Sequence, residues 1–313
     1  MAMRSPLPVR DGVGATRLHV PRTGPWPTVS AYMVERFFHL DPEHLRERFD
    51  RGEIVAYDGS ALTRHTPLGA EEFVWYYREP PVEIEIPFDV EILHQDDDLL
   101  VVDKPHFLPT TPAGKYVQSS ALVRLRRQLD NPDLAPVHRL DRATAGLLMF
   151  STRPQTRGAY QMLFQDRAIE KVYEAVSARP EGDAPSFPST VRLHIEKLRG
   201  QVCVEVDPAR EPNSETLIEL IDQDEHVIRT LLHPHTGKMH QLRVHLASIG
   251  AGILHDNLYP VLTDEQPDDH DRPLQLLARE LRFVDPLSGR AREFLTRRTL
   301  EFAPRTPRRG IDD

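Results

Sequence analysis

The tightest constraint on this chain is the segment Val137–Phe150. A polar stretch carrying His138, Arg139, Asp141 and Arg142 runs through Gly146 into the unbroken apolar run Leu147-Leu148-Met149-Phe150. An apolar run of that length, bounded by turn signals, predicts a buried strand. The polar residues before it then form the turn or loop that delivers Asp141 to the mouth of the strand. Opposite charge on either side favours the ionised form of a carboxylate, so Asp141 is a candidate nucleophile or base. The plainer reading is a structural Arg–Asp pair closing a turn, since such pairs are common and catalytic ones rare.

Three further segments carry chemistry. Asp98-Leu99-Leu100-Val101-Val102-Asp103-Lys104-Pro105 reads as a strand ending in Lys-Pro. Ile169–Val176 reads as a strand on which Lys171 and Tyr173 share one face by period two. Thr236-Gly237-Lys238-Met239-His240-Gln241-Leu242-Arg243-Val244-His245-Leu246 includes a helix with an apolar stripe at Met239, Leu242, Leu246 and Ile249. Arg243, four residues after Met239, borders that stripe at the helix edge. Between the two strands, Thr156–Arg167 predicts an amphipathic helix with Tyr160, Leu163 and Phe164 on its apolar face.

The expected division of the chain is an extended arm over 1–26, a small domain over 27–86, a catalytic domain over 87–304 and a flexible tail over 305–313. The arm is rich in Pro, Gly and Arg. In the small domain a helix spans Thr28–Phe38, and Asp41-Pro42-Glu43 opens a second one that ends near Phe49. Gly52–Gly59 predicts a strand entering a hairpin at Asp58-Gly59.

Net charge is −9, which taken alone argues against a polyanionic partner. The distribution argues the other way. Val101–Val172 carries eleven Lys or Arg against six acids, whereas Asp41–Leu100 carries sixteen acids against five arginines. A basic region around the motifs suits RNA docking at one face, although solvated helix faces would give the same count. Cys203 is the lone cysteine, so no intrachain disulfide forms and a reducing cytoplasm fits. No signal-like or membrane-spanning run is present, and no long apolar stripe argues for a dimer, so a cytoplasmic monomer is expected. His233, His235, His240, His245 and His255 cluster late in the chain. His240 and His245 stand about 140° apart around a regular helix, and the spacing fits no common zinc pattern. No metal is expected.

Together the four segments resemble the ordered motifs of the RluA-type RNA pseudouridine synthases. The signature HRLD-x-x-T-S-G-L-L falls on His138–Leu148, the K-x-Y motif on Lys171–Tyr173, and the T-G-R-x-H-Q-L-R-x-H-L block on Thr236–Leu246. The resemblance implies isomerisation of uridine in ribosomal or transfer RNA to its C-glycoside, without cofactor. It implies an α+β catalytic domain around a mixed, largely antiparallel sheet with flanking helices. The small α/β N-terminal domain resembles the alpha-L RNA-binding fold, though its first helix lacks that module's dense basic face.

The same resemblance assigns the essential aspartate to Asp141, the active-site tyrosine to Tyr173, and to Arg243 a pairing that keeps the aspartate anionic. Arg139 is expected to fill the space left by a flipped uridine. His138, Lys104, Lys171, Lys238 and His240 are expected to contact substrate. Ala145, Lys238, His255 and Leu277 depart from the usual Ser, Arg, Gly and His of the family. The competing readings are a non-catalytic RNA-binding protein derived from a synthase and, more weakly, a glycosidase. The latter typically needs two carboxylates, and Asp141 is the only one in these motifs with arginine neighbours and an apolar backing.

Overall fold

The computed structural model describes residues 5–79, 82–180, 186–198, 200–263 and 267–300. The tail expected over 305–313 lies outside them. The chain begins with β1 (Thr16–His19), α1 (Val29–Arg36), α2 (Pro42–Asp50) and β2 (Phe73–Tyr76), with β1 and β2 paired antiparallel. Thr28 caps α1 by accepting from the Ala31 amide, and Asp41 caps α2 by accepting from Glu43, as the sequence of each start requires. Val20, Val29, Met33, Leu45, Phe49, Ile54 and Val74 close a core of their own beneath these elements.

Two expectations fail here. Residues 1–26 are not all arm: Thr16–His19 is a strand, and Leu18 and Val20 enter that core because β2 offers a pairing edge. Gly52–Gly59 forms its tight turn, with the Gly59 amide donating to Ala56, but only isolated bridges from Val55 to Ala61 and Trp75 in place of a strand.

The rest is α+β. In chain order it comprises β3 (Glu91–Gln95), β4 (Leu99–Lys104), α3 (Ala121–Gln128), β5 (Ala135–Pro136), β6 (Ala145–Ser151), α4 (Pro154–Gln165) and β7 (Ile169–Ala178). Then follow β8 (Ser189–Leu193), β9 (Ile195–Glu196), β10 (Glu205–Val206), β11 (Ser214–Gln223), β12 (Val227–Pro234), α5 (Gln241–Ser248), β13 (Leu276–Val284) and β14 (Ala291–Leu295). Ten strands form one sheet in the order β3-β4-β6-β13-β7-β12-β11-β8, with β5 paired to β6 and β14 to β13. Every pairing is antiparallel except β6 with β13.

The apolar runs of β4 and β6 are buried at every residue, and alternation across the sheet explains why. Leu100, Val102, Leu148 and Phe150 pack against Leu122 and Leu125 of α3. Leu99, Val101, Leu147 and Met149 pack on the other face against Tyr160 and Leu163 of α4. Covering both faces removes the need for a polar alternate position, and each such side chain contributes about 1.5–3 kcal/mol. Gly146 is fixed by the parallel pairing: its φ is +106°, and a Cβ there would strike the backbone of Ala278. That turn of the chain sets the direction in which the loop carrying Asp141 leaves the sheet.

Candidate active site

Asp141 ends the polar loop before β6. The loop is pinned on its inner side. Thr110 Oγ1 donates to the Leu140 carbonyl and accepts from the Leu140 amide, and the Thr144 amide closes a turn onto the Asp141 carbonyl. Lys104, expected to touch substrate, is instead wholly buried at the end of β4. Its Nζ donates to the carbonyls of Pro105 (2.9 Å), Leu108 (2.8 Å) and Arg142 (3.3 Å). Burial drops its ammonium to about 7, against the pull of the Asp141 charge. Lys104 therefore ties down the residue following Asp141 rather than reaching RNA.

His138, also expected at the substrate, faces the protein. Its Nε2 accepts from the Met149 amide at 3.0 Å, and its ring stacks on Phe164 of α4 at 4.4 Å. Burial lowers it to about 3. Arg139 and Arg142 part company: Arg142 makes a bidentate pair with Asp268 at 2.7 Å for each bond, whereas Arg139 stays exposed at the cavity rim. The flanking arginines are thus no simple clamp on Asp141.

The cavity over Asp141 has a volume of about 120 Å³ and gathers Arg139, Asp141, Lys171, Tyr173, Lys238, His240 and Arg243 along its walls. That is well under the range of about 300–1,000 Å³ that holds a drug-sized ligand, so it admits a ring rather than a whole nucleotide. Tyr173 and Lys171 come from one face of β7, as period two requires. Burial and the Asp141 charge both push the Tyr173 phenol up, so its hydroxyl stays protonated. Among the described residues Lys171 Nζ reaches only the Thr236 carbonyl, at 3.5 Å, and burial lowers its ammonium.

Arg243 differs from expectation in place, and it has a second partner beside the expected Asp141. It is not at a helix edge but buried, with 3% of its side chain exposed, because α5 starts at Gln241 and leaves Met239 outside, half exposed. Its guanidinium forks onto Asp256, Nε to Oδ2 at 2.7 Å and Nη2 to Oδ1 at 2.5 Å. Its third nitrogen, Nη1, faces Asp141 Oδ2 at 3.8 Å. Burial works against the Arg243 charge, and the Asp256 bond together with the Asp256 and Asp141 charges more than offsets it.

A second arm reaches the same oxygen. His240 Nε2 lies 3.9 Å from Asp141 Oδ2, while Nδ1 bonds the Tyr259 hydroxyl at 2.9 Å. That hydroxyl also accepts from the Val204 amide, which holds it against the imidazole. Burial lowers His240, the Asp141 charge opposing it. His240 holds φ +55° as the residue before α5, a costly conformation that this web of contacts stabilises. Gln241 uses all four amide positions: it accepts from Thr236 Oγ1 and the Lys238 amide and donates to the Glu215 carbonyl and Thr216 Oγ1. This locks the loop that presents Lys238 to β11.

Sequence reasoning did not find the roles of Asp256, Tyr259, Thr110 or Gln241. Asp256 carried a signal, an acid thirteen residues after a motif arginine, but nothing in the spacing joins the two. Among the described residues no group of three or more His, Cys, Asp or Glu is placed to hold a metal, and no helix is long and apolar enough to cross a membrane.

A carboxylate under a buried arginine, with a protonated phenol beside it over a mixed sheet, is a site for chemistry on one planar ring. The family of RNA pseudouridylate synthases matches residues 98–248. An uncharacterized RNA pseudouridine synthase of Synechocystis sp. is 32% identical over 241 residues, covering 73% of this chain and 78% of that protein. The dual-specificity RNA pseudouridine synthase RluA of Vibrio cholerae is 31% identical, covering 64% and 79%. The solved structure of human RNA pseudouridylate synthase domain containing 1 shares the fold, with a TM-score of 0.53 at 23% identity over 69% of this chain and 86% of that one. This chain belongs to the RNA pseudouridine synthases, and within them to the RluA type.

Proposed function

We propose that the chain isomerises a uridine of transfer or ribosomal RNA with Asp141 as its catalytic carboxylate, Tyr173 against the base and Arg243 holding charge beneath it. The carrying observation is the convergence of these three side chains on one ring-sized cavity. Relatives named for their substrates, such as the tRNA pseudouridine(31) synthase of Saccharomyces cerevisiae, 28% identical over 60% of this chain and 54% of its own length, support the substrate class.

The reaction breaks C1′–N1, turns the uracil over and joins C5 to C1′. The proton on C5 is lost and one on N1 is gained, so no electrons are exchanged. The target base leaves its stack to enter the cavity, and Arg139, free on the rim, is placed to fill the gap. Asp141 adds to the sugar or base, or takes a sugar proton. The protonated Tyr173 stacks on the ring and relays a proton at C5. Lys171 and Lys238 face the RNA backbone, and phosphate contacts set register.

The division into a small unit and a catalytic domain over 87–304 belongs to this proposal, with β1 added to the small unit. So do a monomeric state and a cytoplasmic setting. The test is a pseudouridine map of cellular RNA from a strain lacking the gene, complemented with the wild type or Asp141→Ala. A site that vanishes and returns only with the wild type is expected. In purified form, Asp141→Asn keeps RNA affinity and loses turnover; turnover surviving in Asp141→Asn sinks the assignment.

A further inference from the structure

A larger cavity, about 870 Å³, adjoins the catalytic one, and Lys171 and Pro234 line both. It lies where β7, β11, β12, β13 and β14 present their ends. Its far side is electrically settled: Arg282 is paired with Glu293, Arg292 with Asp285, and His233 with Glu219. The side next to the catalytic cavity is not. Arg167, in the turn between α4 and β7, and His235, just past β12, are both exposed. Among the described residues neither side chain has a hydrogen-bond or ion-pair partner. Glu215, on the same wall, is already held by Arg192 at 2.6 Å, and its carboxyl is lowered by that bond first and by His235 and Arg167 after it. Glu170, the other acid on this side, lies 3.9 Å from Arg282, so both carboxylates beside Arg167 and Lys171 have an arginine of their own.

We propose that this place binds the phosphodiester and sugar of a nucleotide flanking the target uridine, with Arg167 and His235 on the phosphate. Its volume falls within the range of about 300–1,000 Å³ that encloses a ligand of nucleotide size. Leu217, opposite His233 in register and 37% exposed, gives the sugar or base an apolar floor. A strand entering here passes Lys171 and drops its next base over Asp141. Arg167 holds φ +56° at the turn, which is uncommon for a residue with a side chain and fixes where its guanidinium starts. The site rests on the function proposed above and adds to it the direction from which the RNA arrives.

The test uses in-vitro-transcribed, unmodified transfer and ribosomal RNA, bound by the full chain carrying Asp141→Asn so that no turnover intervenes. Adding Arg167→Gln or His235→Ala is expected to weaken binding about tenfold, as for a lost charged hydrogen bond. The dependence of log affinity on log salt should flatten by about one for Arg167→Gln. Arg179→Gln, an exposed arginine outside this cavity, should change neither. In the active chain the same variants should raise KM and leave kcat at saturating RNA unchanged. Wild-type affinity and salt slope in both variants, or a loss confined to kcat, overturns the site. Affinity is read without turnover, so the two readings fail separately. A wild type that makes no pseudouridine yet binds RNA through Arg167 refutes the activity alone. A wild type that makes pseudouridine but ignores both substitutions refutes the site alone.

Discussion

Replacing Arg243 by Gln separates a catalytic charge from a structural pair. The guanidinium Nη1 stands 3.8 Å from Asp141 Oδ2. Two unit charges about that far apart, at the effective dielectric typical of proteins, interact by about 4 kcal/mol. If the anionic form of Asp141 carries the reaction and Arg243 supplies that stabilisation, its loss costs up to about three decades in rate. The same substitution strips Asp256, whose side chain is fully buried, of its bidentate partner. An orphaned buried charge costs about 3–5 kcal/mol of stability, a large share of the roughly 5–15 kcal/mol that holds a domain together.

The two effects come apart in the double variant Arg243→Gln with Asp256→Asn, where neither partner is charged. Urea unfolding should show the single variant destabilised and the double variant largely restored. Single-turnover pseudouridine formation should fall about 10²–10³-fold in both. Recovery of rate along with stability in the double variant refutes the argument, because Arg243 would then matter only as the partner of Asp256.

Tyr173→Phe keeps the ring and loses the hydroxyl; RNA affinity should hold while turnover falls about 10²-fold or more, the size of a positioned proton transfer. Gly146→Ala forces a Cβ into the Ala278 backbone at a positive φ and should cost at least about 2 kcal/mol in chemical unfolding, with soluble, fully stable protein as the contrary result. Three histidines drawn partly or wholly out of water give a pH signature: burial lowers His106 and His245 to about 4 and His138 to about 3. The unfolded chain binds protons near pH 6.5 that the folded one refuses. Their stabilisation is therefore present above about 6.5 and lost as pH falls toward 4, each adding up to about 1.4 kcal/mol per pH unit. His245→Gln should make the measured slope shallower, and an unchanged slope would remove His245 from the account.

The sheet was readable because β4 and β6 are continuous apolar runs, and the helix starts because Thr28 and Asp41 are good caps. The motifs brought Asp141, Tyr173 and Arg243 to one cavity for the same reason: each sits on or beside a strongly patterned element. What could not be read depends on partners distant in sequence. Lys104 looks like a surface cation at a strand end, and the Arg142 carbonyl, thirty-eight residues on, joins two carbonyls of its own segment to make it a buried tie. Arg243 looked like an edge residue because Met239 was counted into the helix; starting at Gln241 turns the stripe and sends Arg243 inward to Asp256. The excess of cations around Asp141 also means less than it suggests. Arg124, Arg126 and Arg157 donate to backbone carbonyls, and Arg153 to Asp98. Thr16–His19 escaped because a four-residue strand among prolines and glycines is specified by its pairing partner and not by its own pattern.

The place of β13 has a consequence for how the enzyme comes into being. The strand led by the Asp141 loop and the strand bearing Tyr173 are near neighbours in the chain, yet they do not pair. A strand that starts 98 residues after β7 ends, at Leu276, slides between them, setting β6 and β7 two strand spacings apart, about 9–10 Å. On the ribosome, the early half can collapse around β4, β6 and α3 but cannot set the distance across its own catalytic floor. Until Leu276–Val284 has left the exit tunnel, β6 and β7 expose unpaired edges, the kind of surface that aggregates or recruits chaperones. Such long-range closure also slows folding. The catalytic floor therefore closes as one event, once β13 has been made, rather than growing in with the chain.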